Sequence, residues 1–144
     1  MNEKTPLSLL TKRTLALAAA RKITAAAESY ARRRGWKVVI AVVDDGGHLI
    51  VLSRMDGAQI GSIQVAQAKA LTALAFKRPS KAWEDALAGG RHAVLGLPGV
   101  TPVEGGLPLV VEGEVVGAIG VSGVTSEQDG LIAQAGAARL AKIT

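Results

Sequence analysis

Residues Val42–Ala58, V-V-D-D-G-G-H-L-I-V-L-S-R-M-D-G-A, decide how this chain folds. A β-branched apolar run meets Asp45-Gly46-Gly47, where glycine supplies the positive φ of a tight hairpin turn. A second apolar run returns from that turn and ends in the polar group Arg54-Met55-Asp56-Gly57. A similar unit lies downstream at Gly105–Gly123, G-G-L-P-L-V-V-E-G-E-V-V-G-A-I-G-V-S-G, with Glu112-Gly113-Glu114 as its turn. Two hairpins that both end in polar, glycine-rich chain predict one sheet with a ligand pocket at its rim.

Outward from the first hairpin, Lys37–Asp44 is nearly all apolar and reads as a central strand covered on both faces. His48–Arg54 is its partner, with His48, Ile50, Leu52 and Arg54 on one side and Leu49, Val51 and Ser53 on the other. Upstream, Leu15, Ala19, Ile23, Ala26 and Tyr30 recur at helical spacing. They predict an amphipathic helix from Ser8 or Thr11 to Arg34, stopped by Gly35. Downstream, the alanine-rich Ile60–Phe76 predicts a second helix, ended by Pro79, and Ser80 is placed to cap a short third helix through Trp83 to Leu87.

Gly89–Pro102 holds four glycines and two prolines without periodicity, which predicts a long irregular connection. Strands are expected at Thr101–Glu104, Leu107–Glu112 and Glu114–Val121, and Ser126-Glu127-Gln128-Asp129 fits a capping box opening a last helix to Lys142. The order αββααβββα predicts an α+β fold, an α/β/α sandwich of profilin-like type. Its mainly antiparallel sheet would have about five strands packed by helices. Residues 1–144 are expected to form a single domain.

Composition narrows the chemistry. There is no cysteine, which excludes disulfides, thiol catalysis and cysteine-held metal. The two histidines, His48 and His92, stand too far apart in sequence for a ligand motif, so no protein-built metal site is expected. The chain is 49% hydrophobic but only 3% aromatic, and such small apolar side chains point to surface buried between subunits, a homo-oligomer of two or more copies. No apolar run is long enough to span a membrane, and Leu15–Ala20 is too short for a signal peptide, so a cytoplasmic protein is expected. Residues 1–37 carry nine Lys/Arg against Glu3 and Glu28, which reads as a solvated helix face; nucleic acid is not the expected partner.

Several residues carry candidate chemistry. Arg54, with Asp56 beside it, either grips a ligand carboxylate or closes an ion pair with Asp56 or Asp129. Lys69 lies among apolar helical neighbours and either snorkels to solvent or serves as a cation or base. Gly120-Val121-Ser122-Gly123, just before a helix, either presents N–H groups to an anion or provides close packing. Its spacing fits neither a nucleophile elbow nor a phosphate loop. Glu104-Gly105-Gly106 either sets a carboxylate beside backbone that a ligand can approach closely, or Glu104 is a capping or solvated residue. His48 and His92 each read as ordinary surface residues or as an axial haem ligand, for which one side chain suffices.

Taken together and in order, four segments resemble the GlcG/HbpS family. They are Val42–Ala58, the A-x-x-K-A-x-T-A pattern at Ala66–Ala73 with Phe76 after it, V-L-G-L-P-G-V-T-P-V-E-G-G-L-P-L at Val94–Leu109, and G-A-I-G-V-S-G at Gly117–Gly123 with Asp129 following. The resemblance covers essentially the whole chain. It implies a profilin-like domain that forms homo-oligomers, with haem-binding members, a secreted haem-sensing branch and a related domain at the C-terminal end of PduO-type proteins. This chain departs from that picture by having no histidine in its first helix and no export signal.

The resulting expectation is a small-ligand-binding domain for haem or a related tetrapyrrole. Arg54 and Lys69 would pair with propionates, His48 or His92 would meet the iron, and Asp56, Glu104, Gly105, Gly106, Gly120, Ser122 and Gly123 would line the pocket. The alternative is a small enzyme acting on a carboxylate-bearing metabolite, a hydroxy- or keto-acid, with Lys69 or Asp129 moving the proton.

Overall fold

The computed structural model describes residues 7–144. Four strands form one open sheet in the order β2-β1-β4-β3, every neighbouring pair antiparallel. They are β1 (Val39–Asp44), β2 (Leu49–Arg54), β3 (Gly106–Val111) and β4 (Glu114–Ser122). The helices are α1 (Leu17–Arg33), α2 (Ser62–Phe76), α3 (Lys81–Ala88) and α4 (Ser126–Leu140), with a 3₁₀ turn at His92–Gly96.

The central strand β1 explains the layering. Val39–Val43 are all buried, because alternate side chains serve two different cores. Val38, Ile40 and Val42 join Ile23 and Ala27 of α1 and Ile132 of α4 on one face. Val39 and Ala41 meet Ala66 of α2 on the other, where Val43 joins Ala70, Ala73 and Ala118. The result is the α/β/α sandwich read from the sequence, profilin-like in arrangement.

Five local readings are corrected. Thr101–Glu104 forms no strand, so the sheet has four rather than five. Pro102 has no N–H to offer, the Thr101 N–H donates to the Thr72 hydroxyl (2.9 Å), and the Val103 carbonyl accepts from the Ser80 hydroxyl (2.6 Å). Ser80 is therefore occupied and caps nothing; it also accepts the Gly106 N–H at 2.8 Å. The first helix begins at Leu17, not at Ser8 or Thr11, because the preceding segment is tied to β4. Leu15 N–H donates to the Val116 carbonyl (3.1 Å), and Arg13 grips Glu114 through its backbone N–H and its guanidinium.

The capping box sits one residue earlier than read, with Thr125 as N-cap and Gln128 as its reciprocal partner, since Asp129 is engaged elsewhere. On β2 the alternation holds only from Val51 onward. Val42 pairs with Val51 but Val43 with Leu49, so Ile50 is a bulge and Leu49 turns to the α2 side.

Candidate functional site

The residues marked by sequence, the two histidines apart, fall into two places. The first is a buried junction where α2, the end of β4 and the start of α4 meet. Lys69 and Asp129 are each only 1% exposed. The Lys69 ammonium donates to Asp129 Oδ2 (2.9 Å) and to the Val121 carbonyl (3.0 Å). Lys69 thus does not snorkel, and it takes the Asp129 partnership that Arg54 was a candidate for. Asp129 Oδ1 accepts the Val124 N–H at 3.1 Å, and the Gly123 N–H also points to this carboxylate. The anion held by the glycine-rich chain before α4 is therefore the protein's own. Burial pushes the Asp129 carboxyl above its ordinary value, while Lys69 and the two N–H groups pull it back.

The glycines around this junction serve close approach. A Cβ at Gly120 would overlap the Ala66 carbonyl oxygen, and one at Gly106 the Lys69 carbonyl oxygen, so α2 lies against β3 and β4 backbone to backbone. A Cβ at Gly105 would stand 2.9 Å from Lys69 Nζ. Gly120 and Ser122 are strand residues of β4, and the Val121 N–H donates to the Gly105 carbonyl (3.0 Å). Ser122 gives its hydroxyl proton to Ser62 at 3.0 Å. Glu104 is half-buried against Gly130, and burial raises its carboxyl, with Lys81 opposing and Glu84 and Glu127 adding.

The second place is an open cleft of about 400 Å³ between the C-terminal end of α1 and the end of β2. Arg54 and Asp56 line it, joined by Glu28, Arg32, Trp36, Lys37, Ser53 and Met55. Glu28 accepts the Ser53 hydroxyl in a short hydrogen bond and stands 3.8 Å from the Arg32 guanidinium. Among the described residues Arg54 pairs with neither Asp56 nor Asp129. Arg54, Arg32 and Lys37 thus all line one cleft together with Trp36, and guanidinium groups are good partners for carboxylates. Cleft and junction sit at the same end of the sheet, because Arg54 and Ser122 are the two partners of Val39 on either side of β1.

The histidines lie elsewhere. His48 is on the β1–β2 turn, 82% exposed at its side chain, with Nδ1 3.3 Å from Asp44 Oδ1. His92 is exposed on the 3₁₀ turn. Sequence reasoning missed Glu28, Arg32, Trp36, Lys37 and Ser53 as cleft residues. The cations read as a solvated helix face, and only the packing of α1 on β2 brings Glu28 to Ser53. Trp36, directly after the helix-stopping glycine and among the basic residues, was the available signal.

A family model described as "Haem degrading protein HbpS-like" matches residues 15–138. Protein GlcG of Escherichia coli K12 is 46% identical over 112 residues, which cover 78% of this chain and 84% of GlcG. The crystal structure of a double mutant of Streptomyces reticuli HbpS superposes with a TM-score of 0.86 at 34% identity, covering 97% of this chain and 96% of that one. That of a PduOC–haem complex does so with a TM-score of 0.78 at 32% identity, covering 87% and 94%. Matched along nearly its whole described length by sequence and by fold, the chain belongs to the GlcG/HbpS family.

Proposed function

We propose that this protein is a small-ligand-binding domain that holds its ligand by carboxylate groups in the Arg54 cleft. The observation that carries the reading is that Arg54, Arg32 and Lys37 line one cleft together with Trp36. Haem or a related tetrapyrrole is the first candidate, supported by the similarity to HbpS and to the PduOC–haem complex.

The cleft residues fit the edge of such a ligand. Arg54, Arg32 and Lys37 would pair with propionates, and Trp36 offers a face for the ring. They do not supply a histidine to the iron: His48 and His92 stand outside the cleft, and Met55 is the soft donor that lines it. Haem, when bound, supplies a redox-active iron. The role of the protein's own residues is to neutralise the acids and exclude water from one face. The buried Lys69–Asp129 pair would act at a distance, by holding the Gly105 and Gly123 chain in place.

A haemin titration followed at the Soret band, with size-exclusion chromatography alongside, tests the proposal. A saturable shift near one haem per subunit or per dimer is expected. Arg54→Ala should weaken it roughly tenfold or more, the usual cost of losing a charged hydrogen-bond partner. His48→Ala and His92→Ala are expected to leave the shift unchanged, since both histidines stand outside the cleft. A flat titration would remove the haem candidate, and retained affinity in Arg54→Ala would remove the cleft.

A further inference from the structure

We infer that the outer edge of β2 is where a second copy of this chain docks. Its β2 would run antiparallel to the first about a twofold at Leu52, joining the two sheets into one. The two edges of the sheet differ. At the β3 edge, the Val121 N–H donates to the Gly105 carbonyl, so Gly106–Gly120 and Pro108–Ala118 are pairs without mutual hydrogen bonds. Gly106 and Pro108 therefore present their backbone outward. Ser80 closes the first, accepting the Gly106 N–H (2.8 Å) and donating its own to the Gly106 carbonyl (3.0 Å). Pro108 has no N–H to offer, so that edge is blunted. The β2 edge, L-I-V-L-S-R, carries no proline, no lysine and no such cover.

The free groups of β2 follow from its pairing with β1. The Met55 N–H donates to the Val38 carbonyl (3.0 Å) and the Asp44 N–H to the His48 carbonyl (2.9 Å). Val39–Arg54, Ala41–Leu52 and Val43–Leu49 are then non-hydrogen-bonded pairs. The N–H and C=O of Leu49, Leu52 and Arg54 point away from β1, and none has a partner among the described residues. The bulge at Ile50 makes Leu49 to Leu52 the same step in a ladder as Leu52 to Arg54. A twofold at Leu52 thus pairs Leu52 with its own copy and Arg54 with Leu49 of the second copy, leaving no outward group unmatched. Centred on Arg54, the pairing would oppose two guanidinium groups; centred on Leu49, it would run Arg54 past the β1–β2 turn. The faces agree. α2 packs on β1, β4 and β3 and leaves Leu49 (47% exposed) and Leu52 (38%) bare, and the second β2 brings these leucines together with its own. α1 lies over β1 and β2, so the two copies of α1 come two strand spacings, roughly 10 Å, apart, a normal helix-packing distance.

Light scattering and amide hydrogen exchange on the whole protein test this. An even number of copies is expected, with the Leu49, Leu52 and Arg54 amides exchanging at least roughly tenfold more slowly than unprotected amides. Leu52→Lys sets a charge at the twofold, and Leu52→Pro removes its central donor; the Leu52 N–H points outward, so neither takes a bond from the β1 ladder. Both variants should give a smaller species with the three amides freed, and thermal melts check that they fold. Should Leu52→Pro not fold, Leu52→Lys and the wild-type exchange decide. A monomeric wild type overturns the inference, as does an assembly whose mass survives Leu52→Lys. So does a wild-type assembly in which the three amides exchange freely, because copies meeting through the α2 face alone would leave this edge open.

Discussion

Lys69 and Asp129 meet across a sequence separation of 60, and each is the other's only charged hydrogen-bond partner among the described residues. Removing one partner strands a buried charge, whereas replacing both by apolar groups removes the desolvation cost with the attraction. Lys69→Met alone is expected to cost about 3–5 kcal/mol, and Lys69→Met with Asp129→Leu to recover much of it. Urea unfolding of the single and double variants decides it, and a double variant no more stable than the single would show that packing rather than charge is at stake. The apolar neighbours of Lys69 were legible in the sequence and placed its stem on an apolar surface. Its partner was not, because nothing local marks which carboxylate α4 brings to α2. Arg54 is the opposite case: the sequence left open whether it closes an ion pair, and Glu28 and Arg32 line its cleft only through the packing of α1 on β2.

The helices and hairpins were read to within a few residues wherever periodicity and turn glycines agreed. They failed where a tertiary bond claimed the backbone or the cap, as at Thr101–Glu104, Ser80 and Leu15. The strap ahead of α1 makes a prediction from that same competition. Hydrogen bonds from the Arg13 N–H and guanidinium hold the Glu114 carboxyl below its ordinary value of 4.5. A depressed folded value means that the contribution is full above the unfolded value and fades as pH falls through the folded one. Protection of the Leu15 amide against hydrogen exchange should therefore decline on acidification below 4.5 and be lower and nearly flat in Glu114→Gln; a parallel decline in that variant would exonerate Glu114. The α2–β4 contact makes a second prediction. Gly120→Ala drives a methyl into the Ala66 carbonyl and should destabilise by about 1–3 kcal/mol or more, read as a lowered thermal midpoint. An unchanged midpoint would mean that α2 can lift without cost.

On the scale of the whole molecule, the outer face beside α2 carries Leu49, Leu52, Ile60, Val65 and Leu71 exposed, Ile60 at 80%. A homo-oligomer that covers this face is proposed, in line with the low aromatic content and small apolar side chains of the chain. Val65→Asp with Leu71→Asp is expected to reduce the assembly to a smaller species by light scattering; an unchanged mass would place the interface elsewhere. No described helix is long and apolar enough to cross a membrane. The sequence by itself determined the α/β/α sandwich, the order of its helices, the buried centre strand and the two hairpins. Those features follow from side-chain periodicity and from glycines at turns, which act over a few residues. Only the tertiary structure decided that the marked polar residues divide between a sealed Lys69–Asp129 junction and an open Arg54 cleft. That division depends on which side chains distant segments bring together, and the energy of burying a charge is set by those neighbours, not by the residues beside it in the chain.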